Sequence, residues 1–324
     1  MRFSQVPGQK VVIGKLLNSV NQQRVSHAQL FTGPPGCGSL ALALAFAQYI
    51  SCEERTPADS CGKCRSCIKY EKLIHPDLHF VFPVIRDKKN DDPVSDNYIV
   101  QWRDFVRQSP FFTLNRWLDS IEVGNAQGLI FASEASEIIK KLSLKSFESD
   151  FKIMIIWLPE KMHPTTANKL LKMIEEPPEK TLFLLVSEEP GKIIPTIHSR
   201  CQLVKIPGFS KTDIISYLSN CFPDFSTSLD DIARVANGNL TRAIELCRNE
   251  DASEGNLERF KNLMRLAWKR DIISLISWSE EMAATGREAQ KVFITFSLRL
   301  LRENLMLTLD QLKNNIVFLT GIEA

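Results

Sequence analysis

The 324 residues carry 40 Lys and Arg against 38 Asp and Glu, a formal net charge of +2, with 44% apolar and 24% charged side chains. That balance excludes a chain-wide basic field for gripping nucleic acid, so any such contact has to be local or shared with partners. No apolar run approaches a bilayer span and Met1–Pro7 lacks a signal-peptide core, so a cytoplasmic protein without membrane contact is expected, long enough for two or three domains.

The chain opens with a turn at Val6-Pro7-Gly8-Gln9, and Val12, Leu16, Leu17 and Val20 then recur at helical spacing over Val11 to Asn21. His27 to Thr32 reads as a buried strand and Leu40 to Ile50 as a buried helix. Between them lies Gly33-Pro34-Pro35-Gly36-Cys37-Gly38-Ser39-Leu40. This has the layout of a phosphate-binding loop, G-x-x-x-x-G-K-[ST], in which glycines let backbone N–H groups wrap the phosphates, Lys reaches the outer ones and Ser/Thr holds Mg²⁺. Ser39 stands where Lys belongs and Leu40 where Ser/Thr belongs. An ordinary glycine-rich turn would look the same, and backbone N–H groups at a helix start attract anions even without Lys, so weak phosphate binding stays open.

Cys52, Cys61, Cys64 and Cys67 follow, four of eight cysteines in a chain where thiols or metal ligands are expected rather than disulfides. Four thiolates so spaced can close a tetrahedral Zn²⁺ site, with Ser60, Gly62, Lys63, Arg65 and Ser66 suited to tight turns; an iron–sulfur cluster is the rival. The expected role is a structural staple, because a closed set of four protein ligands leaves no open position for catalysis.

His75-Pro76-Asp77 reads as turn and cap before a second strand at Leu78 to Pro83. Ile85 to Asn97 is expected to be an exposed polar insertion, Tyr98 to Trp117 an aromatic-rich helix, and Glu134 to Leu144 an amphipathic helix with Ile138, Ile139 and Leu142 on one face. Phe151 to Met162 begins as a continuous apolar run, the signature of a central parallel strand. A P-loop ATPase ends that strand in Asp for Mg²⁺, commonly followed by Glu for the attacking water, whereas here the places hold Trp157 and Leu158. Glu160, three residues on, reads as a surface or cap residue. A helix from Thr165 stops at Pro177-Pro178, Thr181 to Ser187 is another buried strand, and Leu203 to Ile206 a short one.

Gly-Pro-Pro-Gly-x-Gly at 33–38, Ala167-Asn168-Lys169-Leu170-Leu171-Lys172 with Glu175-Glu176-Pro177-Pro178, and Ile194-Pro195-Thr196-Ile197-x-Ser199-Arg200-Cys201 together resemble the clamp-loader branch of the AAA+ ATPases. The four-cysteine insert is similar to the zinc module of the bacterial members. The resemblance covers residues 1 to about 250 well and the rest only as helical character. It implies an α/β fold: an AAA+ P-loop core with a parallel sheet and the zinc insert (1–208, insert 52–67), a small helical lid (209–250) and an all-helical collar (251–324) for oligomerisation. In the lid, Ser210 caps Lys211 to Asn220, and Ser228 precedes Leu229 to Ala236 with Gly238 as a stop. In the collar, Leu257, Phe260, Leu263, Leu266 and Trp268, then Val292, Phe293, Phe296, Leu298, Leu301 and Leu305, suit a helical bundle. That collar is shorter than a full one and Gly321 to Ala324 gives no helix stop, so an incomplete collar is an open expectation.

By the same resemblance Arg200, with Ser199 and Cys201 of the signature, is an arginine finger acting on a neighbour's ATP; without the flanking signature Arg200 reads instead as a surface arginine at a helix–strand junction. Ser187 falls at the sensor-1 place, and Thr241 stands where catalytic relatives put the sensor-2 Arg, Arg242 being one residue off and turned about 100° away on a helix. The implied function is a non-hydrolysing subunit of the bacterial replicative clamp loader, with structural Zn²⁺ and no productive ATP binding of its own. Its implied partners are catalytic tau/gamma-type subunits, a delta-type subunit and, indirectly, the sliding clamp and primer-template DNA. Two rival readings are a catalytic tau/gamma-type ATPase, which requires Lys at 39 and Asp at 157, and a stand-alone zinc-dependent nucleic-acid binder.

Overall fold

The computed structural model describes residues 1–86, 92–121, 128–223, 225, 228–248, 250–286, 289–290, 292–298, 300–302 and 305. They form two compact units, 1–247 and 248–324. In the first, α1 (Lys10–Asn21) leads to β1 (Ala28–Thr32) and α2 (Ser39–Ile50), and then to α3 (Arg65–Glu71) and β2 (Leu78–Val81). After α4 (Ile99–Gln108), α5 (Leu114–Ile121) and α6 (Glu134–Ser143), the chain returns to the sheet as β3 (Lys152–Trp157). α7 (Pro164–Glu175), β4 (Thr181–Ser187), α8 (Pro195–His198) and β5 (Gln202–Lys205) complete the α/β part. The five strands are all parallel, in the order β2-β3-β4-β1-β5.

Strands covered by helices on both faces have no solvated side, which is why β1, β3 and β4 are buried at every residue. The alternation of side chains sorts them into two cores. Leu182, Leu184 and Val186 of β4 join α2 on one face, while Phe183 and Leu185 meet Ile138, Leu142, Leu170 and Ile174 of α6 and α7 on the other. All twelve residues of α2 are buried, as its unbroken apolar sequence requires.

The aromatic stretch expected as one helix over Tyr98 to Trp117 is two, α4 and α5, because Ser109-Pro110 cannot continue a helix. The break folds Trp102 and Trp117, both fully buried, against each other at 5.0 Å and around Phe82, which stacks on Trp102 at 4.1 Å. Residues 87–91 of the expected polar insertion lie outside the described residues, but the rest of it is not a loose surface segment. Ser95 is buried and donates from its N–H (2.7 Å) and hydroxyl (3.0 Å) to the carboxylate of Glu134, itself fully buried. Hydrogen bonds to a charged acceptor are the strong kind, and they outweigh the polar character of the local sequence. On α6, Ile138 and Leu142 are buried as expected and Ile139 is 43% exposed, since its position turns away from the sheet.

Three helices after β5, α9 (Lys211–Cys221), α10 (Leu229–Ala236) and α11 (Leu240–Arg248), belong to the same compact unit as far as Cys247. Ser210 and Asp213 form a capping box on α9, and Ser228 caps α10. α10 ends one residue earlier than its glycine signal, at Asn237 in the left-handed region.

The second unit contains α12 (Glu250–Lys269) and α13 (Ile272–Ala284), with further helical residues at 289–290 and 292–298. Phe293 is buried against Trp278, with ring centroids 5.5 Å apart. Trp268, Val292, Leu298, Leu301 and Leu305, expected inside a bundle, are exposed among the described residues, Trp268 by 89%. Residues 321–324 lie outside the described residues. Among the described residues no helix is long and apolar enough to cross a membrane.

One buried carboxylate ties the α6–β3 loop to the sheet. Asp77 accepts from the backbone N–H of Phe147 (2.6 Å), Glu148 (2.8 Å) and Ser149 (2.8 Å). Burial alone would raise this carboxyl, but the three donors outweigh it and hold its pKa below the usual carboxylate value. A folded pKa below the unfolded one gives stability that is complete above about pH 4 and is lost as pH falls through the folded value. Asp77→Asn should therefore cost on the order of 2 kcal/mol in urea unfolding at pH 7. The gap between the two proteins should narrow on acidification below about pH 4.

Candidate functional site

The glycine-rich loop turns from the C-terminal end of β1 into α2, where a phosphate-binding loop belongs. Two of its glycines are required by conformation and by space. Gly36 has φ +71° and a Cβ there would stand 1.9 Å from Asn239 Oδ1; Gly38 has φ +82° and a Cβ would meet the Phe209 ring at 2.8 Å. The neighbours in those two clashes come from the helical part of the unit, so the loop is packed rather than open. The Leu240 N–H at the start of α11 donates to the Gly36 carbonyl (3.1 Å), and Gln9 Nε2 donates to the carbonyls of Cys37 (3.2 Å) and Pro207 (2.7 Å). Ser39 is the first residue of α2 and buried, Leu40 lies in the core, and burial pushes the Cys37 thiol up despite its contacts with Ser39.

At the end of β3, Trp157 is buried against Trp102 (5.3 Å) and Phe112 (5.1 Å), and Leu158 is buried at φ 55°. The place where a metal-holding carboxylate would stand is aromatic core. Ser187 ends β4 fully buried, and its hydroxyl has no hydrogen-bond partner among the described residues. Glu160 acts as a cap for the segment after β4, its Oε1 accepting from the N–H groups of Glu188 (2.9 Å) and Glu189 (3.1 Å). Burial, then the charges of Glu160 and Glu189, push the Glu188 carboxyl up to about 7. Thr241, on α11, is buried.

Ser199, Arg200 and Cys201 lie elsewhere. β5 runs parallel to β1, Gln29 opposite Gln202 and Thr32 opposite Lys205, so Arg200 precedes the strands while the loop follows them. The four residues of β5 alone separate the two by roughly 13 Å. Arg200 is exposed; its Nη2 pairs with Glu175 Oε1 at 2.6 Å and its Nη1 donates to the Thr196 carbonyl at 3.1 Å. Ser199 Oγ donates to the same carbonyl (3.2 Å), and Cys201 turns toward the α7 side of the sheet, where burial raises its thiol to about 11.

The Sγ atoms of Cys52, Cys61, Cys64 and Cys67 lie within 4.8 Å of one another, and none is in a disulfide. Zn–S bonds near 2.3 Å imply tetrahedral S···S edges of about 3.8 Å, so the set could hold a metal ion with little movement. Backbone N–H groups already point at the sulfurs, from Cys61 to Cys52 (3.2 Å), Cys64 to Cys61 (3.3 Å) and Cys67 to Cys64 (3.4 Å). For Cys61, burial pushes the thiol up but the N–H groups of Lys63 and Cys64 more than reverse it, to about 7. The insert is stitched to the chain start, because the Asp59 carboxylate accepts from the N–H groups of Phe3 (3.0 Å) and Ser4 (2.9 Å).

A family model described as DNA polymerase III, delta subunit, matches residues 8–210, well over half of the chain. The chain belongs to that clamp-loader family. It is 29% identical over 250 residues to the DNA polymerase III subunit delta′ of Bacillus subtilis, covering 77% of this chain and 62% of that one. With the tau/gamma subunit of Haemophilus influenzae it shares 24% over 249 residues, 75% of this chain and 30% of the relative. The chain thus spans less than two thirds of the length of either relative. Among solved structures, a gamma subunit-related protein of Thermotoga maritima matches at TM-score 0.38 and 15% identity, over 76% of this chain and 62% of that one.

Within this family member, the sequence-predicted residues fall into three separate places: the loop with Trp157 and Ser187, the Arg200 turn, and the cysteine insert. Sequence reasoning gave Glu175 no partner, and its reading of Glu160 as a surface or cap residue did not name the N–H groups of Glu188 and Glu189 that it caps. The run Glu175-Glu176 before two prolines was the available signal, but pairing with Arg200 needs the end of α7 and the turn before β5 to meet. For the cysteine set, elemental analysis of the purified protein should find one metal ion per chain. Cys64→Ser should carry none and melt about 5 °C lower in a thermal scan, because a bound ion stabilises only the folded state.

Proposed function

We propose that the chain is a delta′-type subunit of a bacterial DNA polymerase III clamp loader that does not hydrolyse ATP and acts on a neighbour's nucleotide through Arg200. In this reading residues 1–208 form the AAA+ body, 209–250 the lid and 251–324 the collar, and the cysteine insert holds a structural zinc, the ion favoured by four thiolates in a closed set. Catalytic tau/gamma-type subunits and a delta-type subunit are the partners, with the sliding clamp and primer-template DNA engaged through the assembly.

The observation that carries the proposal is the placement of Arg200 at the end of the parallel sheet opposite its own glycine-rich loop. An exposed arginine so placed has no route to a phosphate in cis, whereas a ring neighbour could bring one to it. A guanidinium is permanently charged and forked, so it can stabilise charge developing on a transferring phosphoryl group; such fingers raise rates by about 10³ to 10⁵. The chain's own loop is poorly equipped for the reaction. Ser39 offers no cation, Leu40 and Trp157 are core residues that cannot hold Mg²⁺, and the half-buried Glu188 adds negative potential near Cys37. The same absences at 39 and 157 weigh against a tau/gamma-type catalytic role.

The test is Arg200→Ala in a loader reconstituted with tau/gamma-type and delta-type subunits. DNA-stimulated ATP hydrolysis at the adjoining site should fall by about 10³-fold with the assembly intact. The isolated wild-type chain should release no phosphate. Full hydrolysis by the Arg200→Ala assembly, or steady turnover by the isolated chain, would reject the proposal.

A further inference from the structure

We infer that Glu175 is a positioning residue for Arg200: its carboxylate, at the C-terminal end of α7, holds the guanidinium in the orientation from which it meets a phosphate presented by another subunit. The inference rests on the finger reading above and adds to it a residue on this chain that prepares the finger.

The geometry sets Arg200 in two contacts that divide its donors. Nη2 is paired with Glu175 Oε1 at 2.6 Å and Nη1 donates to the Thr196 carbonyl at 3.1 Å. A guanidinium has five N–H donors in a rigid fork, so two contacts fix its plane and leave donors available to an incoming anion. Without them, a side chain with this many rotatable bonds samples many orientations and has to be ordered at each encounter. Both side chains remain about two-fifths exposed, 41% for Arg200 and 38% for Glu175, so the pair is reachable from outside.

Both partners stand on anchored elements. α7 is stopped by Pro177-Pro178, and the carbonyl of Ile174, the residue before Glu175, is bonded to His27 Nε2 at 3.0 Å, beside the start of β1. Ile174 itself is buried in the sheet's second core. On the other side, Ile197 of α8 is buried in the same core, and Cys201 packs against it from just beyond Arg200. The ion pair therefore spans two segments whose backbones are held by apolar packing, the arrangement that places a functional side chain to within a fraction of an ångström. The carboxylate is moreover out of place by helix rules. The last turn of a helix carries partial negative charge, which disfavours Glu there, and Glu176 follows it directly. Arg200 supplies the opposing charge, which gives the acid at 175 a physical reason that helix stability does not.

The experiment uses the same reconstituted assembly with Glu175→Gln, Glu175→Ala, Arg200→Ala and the double variant Glu175→Gln/Arg200→Ala, followed by steady-state ATPase kinetics. Glu175→Gln should lower kcat roughly tenfold with KM for ATP unchanged, since a misplaced finger costs transition-state contact and not nucleotide binding. Glu175→Ala should lose at least as much. On the Arg200→Ala background, Glu175→Gln should cause no further loss, because a residue that acts only through another has nothing left to position. Co-elution of the subunits and the melting temperature serve as structural readouts and should not move. Unchanged kcat in both Glu175 variants, with Arg200→Ala still strongly impaired, overturns the positioning role and leaves the finger reading standing. An equal further loss on the Arg200→Ala background overturns it as well, by showing that Glu175 acts on its own. Wild-type rates from Arg200→Ala remove the finger reading and this inference with it.

Discussion

A parallel sheet has two chemically different ends, and the organisation of this protein depends on that constraint. Every strand points the same way, so whatever follows the strands gathers at one end and whatever precedes them gathers at the other. The glycine-rich loop, Trp157 and Ser187 belong to the first end; Arg200, Glu175 and His27 belong to the second. No side-chain rearrangement could bring the two sets together, because the separation is the length of the strands themselves.

At the loop end, positions where nucleotide chemistry would need charge are filled by packing. Trp157 belongs to the aromatic cluster with Trp102 and Phe112, and Leu40 to the core around α2. The Gly36 carbonyl bonds to the start of α11, and Phe209 lies against Gly38. Apolar burial of this kind contributes about 25 cal/mol per Å² and favours one closed arrangement. The loop end thus serves as a joint between the α/β layers and the helices that follow.

The cysteine insert obeys a separate logic. Its four sulfurs converge through backbone N–H···S bonds and a left-handed glycine at Gly62, and it is tied to the N-terminal turn by Asp59. A metal ion held by the four sulfurs would stabilise the segment between α2 and α3, whose sequence, with five charged residues at Glu53, Glu54, Arg55, Asp59 and Lys63, offers no apolar face to bury.

Much of this was legible in the residues alone. Unbroken apolar runs marked β3 and β4, the buried α2 helix followed from its composition, and Ser210, Ser228 and Pro177-Pro178 marked helix ends, because these signals depend only on neighbours along the chain. The cysteine spacing and the Ser-Arg-Cys turn were visible for the same reason. What the residues could not disclose were pairings between distant segments: Ser95 with Glu134, Asp77 with the 147–149 backbone, Glu160 with the N–H groups after β4, and Glu175 with Arg200. A polar side chain in a sequence looks solvent-bound until the fold supplies its partner, which is why the segment before α4 read as loose and Glu175 as a residue without a partner. The sequence determined which segments become strands and helices and which chemistry is missing from the loop. Only the tertiary structure decided that Arg200 faces away from that loop and which carboxylate holds it, because strand direction and long-range contacts are properties of the assembled sheet.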